Sequence, residues 1–276
     1  MCSICAIENK SEINLFDDSE IDRVISGVFL GTISVEALDY LTYKKVAEKL
    51  TEGVFNGFGT SLDHVNFGTP DYLMLTDLRT NVYIFSGAKQ YQQVRAMTDL
   101  LTDGDRVKGY NEFKTDAKKI FANYNENYLS TEYNSAIAQA RSASMWMEIE
   151  RNKEVIPNLT YVTAGDGRVR PEHAQLDGIV RPVDDKFWNL YFPPNGWNCR
   201  CRTIQTDDKV TLKKDLPKDI KNVPDVFLMN PGKDRIVFSN NHPYYSVAPK
   251  DLALAKRNFD LPVPGDFKKT PANDKD

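Results

Sequence analysis

Residues 111–151 contain no glycine or proline, and their apolar side chains recur at helical spacing. No other feature constrains the fold as strongly. Phe113, Ala117, Ile120, Phe121, Tyr124 and Tyr128 make one stripe; Leu129, Tyr133, Ala136, Ile137 and Ala140 make a second, displaced by one residue. A helix through the whole stretch would span roughly 60 Å at about 1.5 Å per residue. The displacement predicts a gentle bend or a change of packing partner near Tyr128. Upstream, Tyr43, Val46, Ala47, Leu50 and Val54 predict a helix over 34–59, stopped by Gly57 and Gly59. Leu75, Leu78, Val82 and Phe85 predict another after Pro70, resuming after Gly87 and ending at Leu101, before the turn signal Asp103-Gly104.

The texture changes after Pro157. Residues 159–163 and 201–206 read as short strands, with Gly, Pro and Asp frequent between them. Residues 225–228 and 235–239 are further strand candidates on either side of the turn Asn230-Pro231-Gly232. The fold class expected is α+β, a long-helix N-terminal half followed by a small, loop-rich, β-containing module. The expected divisions are an N-terminal segment 1–33, a helical region 34–155, the module 156–206, and a C-terminal extension 207–276. That extension carries the short strands and, over 268–276, a polar tail of disordered character.

Composition excludes several classes of function. A formal net charge of -4 offers no basic field for a sequence-independent grip on nucleic acid. Between Asp166 and Arg202 the six Lys and Arg nearly balance five Asp and Glu. No run approaches the roughly 18–20 apolar residues of a membrane-spanning helix, and no secretory pattern opens the chain, so a cytoplasm is the expected compartment. The cysteines fall in two close pairs, Cys2 with Cys5 and Cys199 with Cys201, and without secretion they read as metal ligands or free thiols. Cys2 and Cys5 read equally as half of a metal site or as thiols in a frayed terminus.

One segment carries a dense motif. It contains Thr163, Asp166, Arg168, Val169-Arg170 and His173, then Asp177-Gly178, Asp185 and Phe187-Trp188. It closes with Pro193-Pro194-Asn195-Gly196-Trp197 and Cys199-Arg200-Cys201. This pattern resembles the phage Mu F-like, or minor head protein, family. Residues 128–146 and the stretch from Asn230 to Tyr245 are similar to members of that family as well, whereas Cys2 and Cys5 have no counterpart there. The resemblance implies a structural role in head morphogenesis in a virion or procapsid. Phage portal and capsid proteins would be the partners, the host bacterial cytoplasm the place of assembly, and no catalysis would be involved.

The residues themselves suggest a chemistry for this segment. Cys199 and Cys201, two apart on a predicted strand, would point the same way. With His173 they make three corners of a tetrahedral zinc site, and Asp177 or Asp166 is the nearest carboxylate for the fourth. Such a zinc would be structural, and no other cofactor is expected. The opposed reading has the same residues packed and metal-free. Arg168, Arg170, Arg181, Arg200 and Arg202 lie among Asp166, Glu172, Asp177, Asp184 and Asp185, which predicts a lattice of ion pairs before any phosphate site. Phe187, Trp188 and Trp197 are the expected small core. A metal-dependent hydrolase or nuclease built on His173 with Asp184 or Asp185 is the alternative function, although HExxH, a phosphate-cradling glycine loop and a nucleophile triad are all missing.

Overall fold

The computed structural model describes residues 13–217, 220 and 223–253. Cys2, Cys5 and the tail 268–276 lie outside the described residues. The fold is α+β, with long helices in the N-terminal half and small antiparallel sheets. The chain divides into two compact units, each assembled from separate stretches, and the divisions fall inside three of the long helices. No helix among the described residues is long and apolar enough to cross a membrane.

The first unit gathers residues 13–50, 83–133 and 243–253. Helix α1 (Asp18–Phe29) begins at a capping box, in which Asp17 accepts from the Glu20 amide at 2.9 Å and Glu20 accepts from the Asp17 amide at 3.1 Å. Helix α2 (Tyr40–Phe58) starts six residues later than its periodicity suggests. The reason is Asp39, whose carboxylate accepts from the Thr42 amide and hydroxyl and binds the Arg23 guanidinium with both oxygens. It thereby supplies the acceptor that the first helical amides need. Helix α3 (Pro70–Thr98) does not break at Gly87. Its buried stripe continues without a gap through Ala88, Tyr91, Val94 and Met97, so packing carries the helix past the glycine.

The predicted turn at Asp103-Gly104 joins β1 (Thr102–Asp103) to β2 (Arg106–Val107), with Gly104 at a φ of 58°. Helix α4 (Tyr110–Ala122) then passes through a π-helical turn (Asn123–Tyr128) into α5 (Leu129–Asn152). The π turn explains the displaced stripes. It inserts an extra residue, so the buried face resumes one position later without any break in the helix. Inside this unit Lys89 and Glu132 form an ion pair almost without solvent exposure. Tyr244 donates to the other Glu132 oxygen at 2.8 Å.

The second unit comprises residues 51–82 and 134–242 among those described. Its three-stranded antiparallel sheet has the order β4-β3-β5, where β3 is Asn158–Val162, β4 is Val180–Pro182 and β5 is Arg202–Thr206. Leu159 and Tyr161 project from β3 into a core of Trp146, Ile149, Leu176, Ile179, Val183, Trp188 and Phe192. Three single-turn helices lie along the same stretch: α6 (Pro171–Ala174), α7 (Trp188–Tyr191) and α8 (Pro231–Asp234).

The strands expected at 225–228 and 235–239 do not form. Residues Asp225–Phe227 make a 3-10 turn. At Val237 and Phe238 both backbone amides donate to the Asn81 side-chain oxygen, at 2.9 and 2.8 Å, while the Asn81 amide donates to the Phe238 carbonyl at 3.0 Å. A single asparagine therefore satisfies the backbone groups that a neighbouring strand would otherwise engage.

Candidate metal centre

The centre is built on loops braced by the sheet. Pro171 occupies the first turn of α6, where its missing amide costs nothing, and the turn carries His173 inward to 2% exposure. The cysteines precede β5 and are not part of the strand, contrary to the sequence expectation. Their common direction comes from a turn: Asn198 adopts φ 54°, a left-handed conformation that Asn tolerates better than most residues, and folds the chain back over His173. The Cys199 and Cys201 sulfurs lie 3.6 and 3.5 Å from His173 Nδ1. All three donor atoms lie within 4.8 Å of one another.

These distances have a chemical meaning. A tetrahedral zinc at ~2.3 Å from sulfur and ~2.0 Å from nitrogen sets those donors about 3.5 Å apart. The other ring nitrogen decides the tautomer. His173 Nε2 lies 3.1 Å from the Asn195 carbonyl, which can only accept, so Nε2 carries the proton and Nδ1 turns its lone pair to the sulfurs. Burial opposes charge on His173, but the Cys199 sulfur and the Asn195 carbonyl outweigh it and raise the ring's pKa above its ordinary value. The hydrogen bond from Cys201 draws the Cys199 thiol well down, with His173 assisting against the cost of burial. The same bond, together with burial, pushes the Cys201 thiol up.

Asp177, the expected fourth ligand, does not join them. One of its oxygens accepts from the Thr163 amide at 2.7 Å and from the Thr163 hydroxyl at 2.9 Å, which closes the loop after β3. Asp166 is equally committed. It binds both terminal nitrogens of Arg200 at 2.7 and 2.6 Å and accepts from the Arg168 amide at 3.0 Å, and Arg200 holds its carboxyl below the usual range. Because Arg200 sits between the two cysteines, this bond anchors their loop. Asp185 pairs with Arg181 and accepts from the Phe187 amide at 2.8 Å. Of the expected ion pairs, Asp166 with Arg200 and Arg168 and Asp185 with Arg181 form, whereas Asp184 pairs with Lys153. Arg170 differs, donating to the Trp197 carbonyl at 2.6 Å.

Of the expected aromatic core, Trp188 is fully buried and Phe187 packs at its edge at 4.8 Å. Trp197 departs from that group. It meets Phe227 at 4.9 Å and His242 at 6.1 Å. Two residues central to the site were not singled out by the sequence. Asn195 is fully buried; its side-chain oxygen accepts from the Tyr161 hydroxyl at 3.0 Å while its carbonyl orients His173. Tyr161 is buried beside the sulfurs, and burial, then the sulfur charges, push its pKa up. The available signal was the placement of Asn195 between a proline pair and a glycine, inside the motif.

With this geometry in place, the comparisons with known proteins are direct. Residues 86–204 match the family described as Phage Mu protein F like protein. This stretch is similar to the phage Mu F-like family. Over 74 residues, 27% of its length, the chain is 45% identical to the putative capsid assembly protein F of Escherichia phage Mu. Over 63 residues, 23% of this chain, it is 36% identical to the Mu-like prophage FluMu F protein of Haemophilus influenzae. The matched stretches cover 17% and 15% of those relatives' lengths. No solved structure matches the chain. The Mu F-like match reaches back from the Cys199–Cys201 loop through α5 and α4 to Ser86, so it takes in long helices as well as the turn-rich segment.

Proposed function

We propose that this chain is a minor head protein that takes part in phage or prophage head morphogenesis by binding portal or shell proteins, and that it catalyses no reaction. The observation carrying this reading is the match of residues 86–204 to the Mu F-like family, together with the chain's 45% identity over 74 residues to a protein named for capsid assembly. The surface supports a binding role: Tyr40 and Leu41 at the start of α2, Phe67, and Val155 after α5 are large apolar side chains left exposed. Its place of work is a procapsid or virion assembled in a bacterial cytoplasm.

In this reading the His173–Cys199–Cys201 cluster holds a structural zinc. The turn-rich stretch has a modest core, and a metal cross-link compensates for the aliphatic packing it lacks. Two measurements test the proposal. Tagged full-length chain expressed with the phage head genes should retain portal or shell protein, and recovery of neither sinks the assembly reading. Purified chain given Mg²⁺, Mn²⁺ or Zn²⁺ should leave DNA, RNA and peptides intact. Robust turnover that disappears in His173→Ala would establish an enzyme in its place.

A further inference from the structure

On α5 the buried polar residues Ser135, Gln139 and Ser142 recur at spacings of four and three, so they share one face of the helix. That face meets the motif loop, because the Ser142 hydroxyl donates to the Pro193 carbonyl. Gln139 is placed differently. It is 1% exposed, and among the described residues neither its side-chain oxygen nor its side-chain nitrogen has a hydrogen-bond partner. A buried amide in that state is rare in folded proteins, since nothing returns the cost of taking it out of water.

Gln139 lines a cavity of about 10 Å³, together with Ser135, Ser239, His242, Trp197 and Phe227. All of these residues belong to the second unit. The volume is that of one water-sized sphere, which excludes an organic ligand. Ser239 Oγ accepts from the Asn241 amide at 3.2 Å, so its own proton is left to be donated elsewhere. A water has two protons and two lone pairs. It can donate to Gln139 Oε1 while accepting from Gln139 Nε2 and from Ser239 Oγ, and about three bonds are usual for a buried water.

We propose that this cavity is a hydration site, in which one tightly held water joins the Gln139 carboxamide to Ser239 and braces the Trp197 loop against α5. Trp197 is a wall of the cavity and stands two residues before Cys199, so the braced loop is the one that delivers the sulfurs. The site is independent of the zinc reading, because none of its donors or acceptors belongs to the His173–Cys199–Cys201 cluster.

The test counts long-lived internal waters in the full chain by water-oxygen magnetic relaxation dispersion. Gln139→Met keeps the length of the side chain and removes its polar atoms. One long-lived water should be lost relative to the parent, with about a tenfold fall in the ratio of folded to unfolded chain, the worth of a net hydrogen bond. The Cys199 amide, bonded to the Gly196 carbonyl at 3.2 Å, should exchange faster. Identical dispersion in parent and variant, or a variant more stable than the parent, means that Gln139 lies in a dry site and overturns the proposal. Loss of the water without any change at the Cys199 amide overturns the bracing role. If Gln139→Met does not fold, a crystal structure of the parent decides. A water within about 3.2 Å of the carboxamide upholds the site, and a carboxamide surrounded by protein atoms alone refutes it.

Discussion

The unit formed by residues 13–50, 83–133 and 243–253 and the sheet module at 156–206 secure their interiors by different means. In the first, long helices bury Phe85, Tyr91, Phe113 and Phe121 almost completely, and among them lies a buried ion pair, Lys89 with Glu132. In the second, short strands are joined by loops that side chains hold in place: Asp177 on Thr163, Asp166 on Arg200, Asn195 on Tyr161 and His173. Helices satisfy their own backbone and leave side chains free to pack, while a loop-rich module must spend side chains on backbone and turn geometry. The first unit should therefore be sensitive to a charge left unpaired, and the second to the loss of a cross-link.

The largest expected effect lies in the helical unit. Glu132→Leu would leave the Lys89 ammonium buried without its partner and deprive the Tyr244 hydroxyl of its acceptor. Breaking a buried pair in this way costs about 3–5 kcal/mol. Desolvation already depresses the Lys89 pKa, so the variant should hold that amine neutral at a lower pH than the parent does. Lys89→Met combined with Glu132→Leu should regain most of the loss. Urea unfolding of the four proteins in this cycle measures it, and a double variant no better than the single one would show that the pair itself is worth its desolvation.

Metal removal comes next and falls on the other region. Zinc held at 100 times its Kd adds about 2.7 kcal/mol to the folded state. Chelator, or Cys199→Ser, should speed amide exchange across residues 158–206 while leaving α1 and α4 protected. Metal binding must release thiol protons, so affinity falls as pH falls. Exchange rates indifferent to chelator would return the cluster to packed, metal-free thiols.

The contrast also explains what was legible in the sequence. Helical stripes depend on periodicity, so α2 to α5 could be read directly, and even the π turn left a one-residue displacement as its trace. The convergence of His173, Cys199 and Cys201 was visible because the motif restricts its residue types. What escaped depended on side chains reaching across the chain. Asn81 stands in for a strand at Val237 and Phe238, Asn195 orients the histidine, and Thr163 diverts Asp177. Such contacts carry no period, and their partners lie far apart in sequence.

Close helix packing offers a middle-sized test. A Cβ on Gly57 of α2 would lie 2.1 Å from the Ile137 carbonyl oxygen of α5, a backbone atom that cannot rotate away. Gly57→Ala should cost about 1–3 kcal/mol, the usual range for overpacking, despite alanine's better helix propensity. Gly109→Ala makes the matching control, since nothing lies within 4 Å of that position and its φ is negative. Equal thermal midpoints for Gly57→Ala and the parent would mean that the two helices separate without penalty.

The smallest effect concerns Asp185, which braces the sheet module through Arg181 and the Phe187 amide. Burial would raise its pKa, but the Phe187 amide and the Arg181 guanidinium outweigh that and hold it below the usual carboxylate range. A carboxylate depressed in the folded state contributes stability that is complete above its unfolded pKa and disappears as pH falls through the folded one. Because the carboxylate is partly exposed, its contribution is up to about 1 kcal/mol. Asp185→Asn should accordingly lower the urea midpoint at neutral pH, and its gap from the parent should close below the unfolded carboxylate range of about 3.9. Arg181 also donates to the Thr211 carbonyl at 2.8 Å, so the variant keeps that anchor and should remain folded for the comparison. A gap constant from neutral to acid pH would assign Asp185 a role in shape alone, and the module would then owe its integrity to the His173–Cys199–Cys201 cluster and the Asp166–Arg200 bond.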